Sequence, residues 1–528
     1  MRIHLTGVGG VAMGNLAAML KASGHDVSGS DQALYPPMSD RLREWGIKAR
    51  EFDASNLKGV ELCIIGNVIS RGNVEAEAVL NQGLPYLSMS AALAEFFLKD
   101  KEVIVVAGTH GKTTTTFLMD HILTSADNPP GLFAGGLRAD GMDGFRISDS
   151  RYFVIEGDEY DTAFFDKGPK FLHYKPRYLI VTSLEYDHAD IYPDLAHYRQ
   201  AFERLLRLVP SAGLVAACYG DVGVRKLLKK YDLAPVHWYA SKSIRGPLDE
   251  PSAGSKKERS KPKGLKAQQG SLKVFRRRGR QVQFSGYGAT IDEFALIGDH
   301  NTANASACLL VAERLGLPEA VVAQALHTFP GVMRRQQIRS RIQTSGTAAD
   351  SPEGRSWMAE TWRKPAANIQ SDPKTTEREI IFMEDFAHHP TAVEQTIQAV
   401  RKAWPRHRLH VLYEPRSATS HRSIFQTEYI KAFHKAHSVY LCDIYNKNKV
   451  SRRMQLDVRR LVREIQAERK KKNRSSIFFA KDPEALLQCL ANTFMPHAAG
   501  DIILAMSNGS FGGIYPRLES WLASLSTT

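Results

Sequence analysis

The sequence is poor in cysteine: five in 528 residues, at positions 63, 218, 308, 442 and 489, with no C-x-x-C pair among them. Thiols scattered in this way argue against a disulfide framework and read as reduced, mostly buried residues of a cytoplasmic protein. Long apolar runs are missing too. None approaches the ~18 residues that span a bilayer, so no membrane partner is expected. The opening "MRIHLTGVGG" enters a strand pattern at once, with neither the apolar region nor the cleavage site of a secretory signal. Acidic residues are in deficit, 56 Asp and Glu against 70 Lys and Arg, for a formal charge of +14.

That excess invites a nucleic-acid partner, but it is local. Residues 241–280 hold 13 Lys and Arg against three acids, and residues 447–474 hold twelve against three, so the remainder is net negative. The stretch "PSAGSKKERSKPKGLKAQQG" (251–270) is polar, contains Gly and Pro, and has almost no large apolar side chain. It reads as part of a disordered insertion near 245–280, a solvated loop in preference to a nucleic-acid arm. A second polar stretch, 345–378, reads as another surface insertion.

What is present is a repeated alternation of strand and helix. The 528 residues allow about three domains at ~150 residues each. "RIHLT" precedes a helical stretch with Met13, Leu16, Ala17 and Leu20 on one face, and "DVSGSD" and "ELCIIGN" suggest further strands. A second block runs from "EVIVVAGTHGKT" through "YFVIEGDEYD" and "YLIVTSLEYDH". A third contains "REIIFMED", "RLHVLYEP", "SVYLCDIY" and "DIILAMSNG". Apolar strands alternating with helices predict an α/β protein built of parallel sheets covered on both faces. The expected domains are 1–100, 101–328 and 329–528.

Residues 7–12, "GVGGVA", fit G-x-G-x-x-A after a strand, and Asp31 closes the next strand 22 residues beyond Gly9. This is the arrangement of a dinucleotide fold, in which glycines let phosphate approach the backbone and the acid meets a ribose. Taken alone it favours an NAD-dependent oxidoreductase, or merely a tight turn. "VVAGTHGKTTTT" opposes that reading: a strand, a loop holding Gly108 and Gly111, then Lys112 and Thr113 at a helix start. Loop amides and the helix N-terminus both aim positive charge at an anion. Lys112 can reach β/γ-phosphates and the Thr113 hydroxyl can ligate Mg²⁺. A strict Walker A loop has glycine where Val106 stands, so this loop is shorter.

Two acidic strand ends follow, Glu156, Asp158, Glu159 and Asp161, then Glu185, Asp187, His188 and Asp190. Carboxylates at the carboxyl ends of parallel strands share the phosphate loop's edge, where they can hold Mg²⁺; solvated acidic loops are the alternative. "GDHNTANA" sets His300, Asn301 and Asn304 at a helix start, where Asp299 or Asn301 can also serve simply as N-cap. "MEDFAHHP" ends a strand with Asp385 and the pair His388 and His389, without an evident third metal ligand.

Together "GTHGKTTTT", "EGDEYD", "LEYDHAD", "GDHNTANA", Arg334–Arg335 and "EDFAHHP" resemble the Mur ligase family across nearly the whole chain. The resemblance implies a Rossmann-like N-terminal domain for a UDP-sugar, a central P-loop-type ATPase domain, and a Rossmann-like C-terminal domain for the incoming amine. It implies an ATP-dependent ligase that forms an amide through an acyl phosphate, with Mg²⁺. ATP would meet Gly108, Thr109, His110, Gly111, Lys112, Thr113, Thr114, His300 and Asn304, while Arg335 and Asp385 from the third domain would close over phosphates and ribose. Thr113, Glu156 and His188 would hold metal, and Lys112, Glu156, His188 and Arg335 would be catalytic. Gly7, Gly9, Gly10, Asp31, Asn67 and Ser70 would take the UDP-sugar.

"YPPMSDRL" (35–42), "SRGNVEAEAVL" (70–80), "DEYDTAFFDKGPKFLHYKPR" (158–177), "EPRS" (414–417) and "MSNGSFGGI" (506–514) are similar to one branch of that family. That branch joins UDP-N-acetylmuramate to the murein tripeptide L-alanyl-γ-D-glutamyl-meso-diaminopimelate in peptidoglycan recycling. Later enzymes of the pathway use a carbamylated lysine soon after the metal-binding histidine, and no lysine occurs here between His188 and Lys226. The sister branch that adds L-alanine in new synthesis remains the alternative. Arg416, Ser417, Ser507 and Asn508 are the expected peptide-binding groups, Arg416 through bidentate pairing with a carboxylate. His188 and Asp190 are the candidates, by position, for deprotonating the amine. Glu384, Gly157 and Gln336–Gln337 depart from the branch pattern. No obligate protein partner is implied.

Overall fold

Ile3 and Leu5 are fully buried in the strand Arg2–Thr6, which opens the chain between two partners of its own direction. The resulting five-stranded parallel sheet runs, edge to edge, Lys48–Arg50, Asp26–Ser30, Arg2–Thr6, Leu62–Ile65, Tyr86–Ser88. Ile3 stands opposite Val27 on one side and Leu62 on the other. Chain order reverses at Arg2–Thr6, so residues 7–10, leading into the helix Val11–Ala22, lie at the switch point where open α/β sheets form their crevice.

A computed structural model of the protein describes residues 1–34, 38–189, 191–243, 269–278, 281–283, 290–291, 294–345, 377–447, 450–470 and 477–525. Its chain forms two compact units, Met1–Val332 and Met333–Thr528. Asp190, residues 35–37, and most of the two expected insertions (244–268 and 346–376) lie outside the described residues.

The second sheet of the first unit centres on Glu102–Ala107, whose residues from Val103 onward are buried. Parallel neighbours extend it through Tyr178–Val181, Leu214–Cys218, Val236–Ser243 and Gln269–Arg278 on one side. Tyr152–Gly157 and Gly131–Phe133 extend it on the other. Short antiparallel strands finish both edges. The strand Gln269–Arg278 corrects the expected insertion: these ten residues near its end are sheet, in parallel register with Val236–Ser243. Averaged over 245–280 the basic residues mask this segment, yet Phe275 is fully buried within it.

One continuous apolar interior runs from Ile3, Leu5 and Leu16 through Leu93 and Phe97 to Val105, Ile155 and Leu179, serving the first sheet and one face of the second. The other face packs Ile104, Val106, Phe117 and Leu309 under the helices Lys112–Ser125 and Asp299–Arg314.

The second unit holds a six-stranded sheet ordered Gln337–Ser345, Glu377–Asp385, Asp501–Met506, Arg408–Tyr413, Ser438–Cys442, Ile477–Ala480. Its first pair is antiparallel and the rest are parallel. The three α/β layers match the expected fold class. No helix among the described residues is long and apolar enough to cross a membrane.

Candidate active site

The central strand ends at Ala107, and the next four residues turn into the helix Lys112–Ser125. Gly108 has φ +138°, and a Cβ there would collide with the Thr182 hydroxyl. Gly111, the N-cap, has φ +82°, and its Cβ would lie 2.6 Å from Asn304 Oδ1. Both positions need glycine for conformation and for space. Side chains of the neighbouring strand end fasten the loop: Thr182 Oγ1 donates to His110 O at 2.6 Å, and His110 N donates to Ser183 Oγ at 2.9 Å. Glu185 N donates to Thr109 Oγ1 at 2.9 Å. Thr114 is buried in the first turn.

Lys112 folds back over this loop. Its Nζ donates to Gly108 O at 2.8 Å and to both oxygens of Glu159, at 2.9 and 2.7 Å. Burial pulls the Lys112 ammonium down, but Glu159, Asp158 and Glu156 more than offset this and hold it above its ordinary value. Glu159 is fully buried, and besides Lys112 it accepts from Tyr198 Oη at 3.2 Å and faces His188 Nε2 at 2.9 Å. Burial pushes its carboxyl up, and the Lys112 and His188 charges bring it below the usual carboxylate range. Glu159 is thus the hub of the site, and only its place in an acidic cluster signalled it in the sequence.

Thr113 Oγ1 donates to Glu156 Oε1 at 2.9 Å, and Gly135 N donates to Glu156 Oε2 at 2.9 Å. A hydroxyl and a carboxylate oxygen converging beside a phosphate loop suit a hard cation such as Mg²⁺. His188, with φ +52°, hydrogen-bonds Glu159 rather than Glu156. Asn304, whose Nδ2 donates to Asn301 Oδ1 at 3.2 Å, closes over Gly111, with His300 in the first turn of the same helix. That helix is capped by Gly298 with no side-chain cap bond, so neither Asp299 nor Asn301 fills the simple capping role. Asn301 Nδ2 instead donates to Ile297 O at 2.9 Å.

At the first sheet Gly7 has φ +91° and packs against Ile69, which brings the segment holding Asn67 and Ser70 beside the glycine loop. Gly9 N donates to Asp31 Oδ2 at 2.8 Å, so Asp31 clasps the loop. Gly10 is the N-cap of the following helix and has open space at its Cα.

In the second unit Arg334 and Gln336 have φ of +60° and +52°, unusual for residues with side chains. Carboxylates hold them there: Arg334 Nε donates to Glu384 at 2.7 Å, and Gln336 N donates to Asp385 Oδ2 at 2.7 Å. Arg335 between them stacks over Phe386 at 4.7 Å. Asp385 is buried, its other oxygen accepting from Ala387 N at 2.7 Å. Burial raises its carboxyl above the ordinary range against the Arg335 charge. The histidine pair has structural work: His389 Nδ1 accepts from Thr391 N and caps the helix Pro390–Ala403, and the His388 carbonyl accepts from Tyr413 Oη at 2.9 Å.

Strand ends of the same unit assemble Arg416, Ser507 and Glu414. Ser507 Oγ donates to Glu414 Oε2 at 2.6 Å, and Arg416 Nη1 lies 3.6 Å from that oxygen. The guanidinium stacks on Tyr445 at 3.8 Å. Asn508 Oδ1 is buried without a partner, among the described residues. Ser417 turns to Ser420 instead, Oγ to Oγ at 3.0 Å. Glu414 and Tyr445 were not legible as site residues, although Glu414 opens the "EPRS" motif.

Residues 2–101 match the Mur ligase family, catalytic domain; residues 106–312 the Mur ligase middle domain; residues 373–509 the Mur ligase, glutamate ligase domain. The chain is 32% identical to UDP-N-acetylmuramate--L-alanyl-gamma-D-glutamyl-meso-2,6-diaminoheptandioate ligase of Escherichia coli (strain K12), over 99% of this chain and 98% of the relative. It is 28% identical to UDP-N-acetylmuramate--L-alanine ligase of Methylococcus capsulatus, over 99% and 97%. Among solved structures, a murein peptide ligase from Psychrobacter arcticus 273-4 superposes with a TM-score of 0.63 at 27% identity, covering 99% of both chains.

Proposed function

The chain belongs to the Mur ligase family, whose members are ATP-dependent amide ligases, and on that premise we propose that it joins UDP-N-acetylmuramate to L-alanyl-γ-D-glutamyl-meso-diaminopimelate, in cytoplasmic peptidoglycan recycling. Residues 1–100 would take the UDP-sugar, 101–328 ATP, and 329–528 the tripeptide.

The lactyl carboxylate of UDP-N-acetylmuramate is a poor acyl donor, because oxide is a poor leaving group. Transfer of the γ-phosphoryl group from ATP converts it to an acyl phosphate and leaves ADP. The tripeptide's free amine then attacks the acyl carbon, loses a proton, and expels phosphate, leaving an amide. The observation that carries this reading is the arrangement at the central loop, with Lys112 and the Thr113–Glu156 pair at one helix start. Lys112 would offset charge on the transferring oxygens, where a fixed cation in a dry site is most effective. Mg²⁺, held by Thr113 and Glu156 with His188, would supply further charge neutralisation there. Loop amides and the helix N-terminus would orient the phosphates. Arg416 and Ser507 would meet the tripeptide's carboxylates, Arg416 already oriented by Glu414 and Tyr445.

The test is ligation by purified protein with ATP, Mg²⁺ and UDP-N-acetylmuramate, the tripeptide and L-alanine being offered separately. The tripeptide is expected to be used far better. Preference for L-alanine at equal concentration would move the protein to the sister branch, while tight NADH binding without UDP-sugar binding would overturn the ligase reading.

A further inference from the structure

Glu75 is a carboxylate with no exposed surface, and nothing in the reaction described above uses it. It projects from the start of the helix Val74–Gln82 into the end of the first sheet. Its Oε2 accepts from Thr6 Oγ1 at 2.8 Å and Ser30 Oγ at 2.5 Å, with His4 Nε2 at 3.3 Å. Its Oε1 accepts from Asn56 Nδ2 at 2.8 Å and from Asp53 N at 3.1 Å. Burial pushes this carboxyl up, but His4, Asn56 and Ser30 together hold it down to about 2, so it stays ionised. A buried charge is retained where its partners are many and well placed.

Two of those partners are the last residues of the two strands that bracket the glycine loop. Thr6 precedes Gly7. The Ser30 carbonyl accepts from both Gly7 N at 2.8 Å and Val8 N at 2.9 Å, and the next residue, Asp31, accepts from Gly9 N. Three successive loop amides therefore hang on Ser30 and Asp31, and the Ser30 side chain hangs on Glu75. Oε1, in contrast, faces Asp53 and Asn56, which follow the edge strand Lys48–Arg50.

We propose that Glu75 is a positioning residue for the nucleotide-sugar, fixing the strand ends through Thr6 and Ser30 so that residues 7–10 hold the conformation that receives the UDP pyrophosphate. The inference rests on the UDP-sugar assignment of that loop. It makes two groups on the same carboxylate behave differently. Loss of the Oε2 tethers disturbs the loop, and loss of the Oε1 partner disturbs only packing.

The experiment is calorimetric titration of the full chain with UDP-N-acetylmuramate and, separately, with ATP, alongside thermal melting. Glu75→Gln and the double variant Thr6→Val/Ser30→Ala are each expected to weaken UDP-N-acetylmuramate binding tenfold or more while ATP affinity stays within twofold. Asn56→Ala is expected to lower the melting temperature with UDP-N-acetylmuramate affinity within twofold. If Glu75→Gln does not fold, the double variant decides, since it removes two hydroxyls and little volume. Equal affinity in wild type and the double variant, or equal loss in Asn56→Ala, would overturn the positioning role. Wild-type protein that binds ATP but no UDP-N-acetylmuramate would overturn the functional reading beneath it.

Discussion

Lys112 Nζ sits astride a single carboxylate, 2.9 Å from one oxygen of Glu159 and 2.7 Å from the other. The cation proposed to meet a phosphate is thus held by a fully buried anion, so that stability and the proposed catalysis would draw on the same pair. Lys112→Ala should lower ligation by ~10²-fold or more, as for a lost charge-stabilising group. It should also cost ~3 kcal/mol of folding stability, because Glu159 is left buried with less compensation. Lys112→Ala/Glu159→Gln is expected to regain most of the stability and none of the activity. Urea unfolding and phosphate release on the same preparations check both, and near-normal turnover in Lys112→Ala would rule out the cradle.

Gly111→Ala puts a methyl group 2.6 Å from Asn304 Oδ1 at a backbone with φ +82°. The left-handed conformation alone costs ~1–2 kcal/mol for a residue with a side chain. ATP affinity should fall, measured with a fluorescent ATP analogue, and Gly111→Ala/Asn304→Gly should recover only the steric part. Full ATP affinity in Gly111→Ala would contradict the close approach of loop and helix.

Arg416→Ala should weaken tripeptide use by ~2–3 kcal/mol, the scale of a lost charge-assisted hydrogen bond, while leaving ATP binding unchanged. The kcat/KM for tripeptide is the measurement. An equal loss in kcat/KM for ATP would mean that Arg416 acts on the fold and not on the peptide.

Glu75 also predicts a pH response. Its folded-state pKa, about 2, lies below the ordinary glutamate value of 4.5, so its contribution is fully present above pH 4.5 and is lost as pH falls toward 2. A shift of that size corresponds to ~3 kcal/mol. Urea midpoints between pH 5 and 3 should therefore fall more steeply for wild type than for Glu75→Gln, and parallel curves would exclude the assignment.

Deleting residues 251–266, a polar stretch with almost no large apolar side chain, should leave stability within ~0.5 kcal/mol and ligation unchanged. Were the segment a nucleic-acid arm, RNA binding with steep salt dependence would be present in the full chain and lost on deletion.

The central loop was legible because its information is local: strand, Gly108, Gly111, Lys112 and Thr113 follow one another within a dozen residues. Glu159, Glu75 and Glu414 were not, because each takes its role from partners far along the chain. Thr6 lies 69 residues from Glu75, and Ser507 lies 93 from Glu414. Gln269–Arg278 was misread for a related reason. A charged composition spoke for solvent, while the strand is held by Val236–Ser243, a partner that no local window contains. His388 and His389 suggested chemistry by adjacency; the His389 ring caps a helix start, while it is the backbone carbonyl of His388 that accepts from Tyr413.

The apolar interior common to the first two sheets has a consequence for how the protein comes apart. Leu93, Phe97 and Leu98 at the end of the first hundred residues are buried in the same cluster as Val103, Val105 and Phe171. A fragment cut near residue 100 would turn this surface to water, at ~25 cal/mol for each Å² exposed. The glycine loops at 7–10 and 108–111 therefore sit on one cooperative melting unit. On the proposed assignments a ligand at either one should raise the melting temperature of both, and the first sheet should not be excisable as an autonomous module.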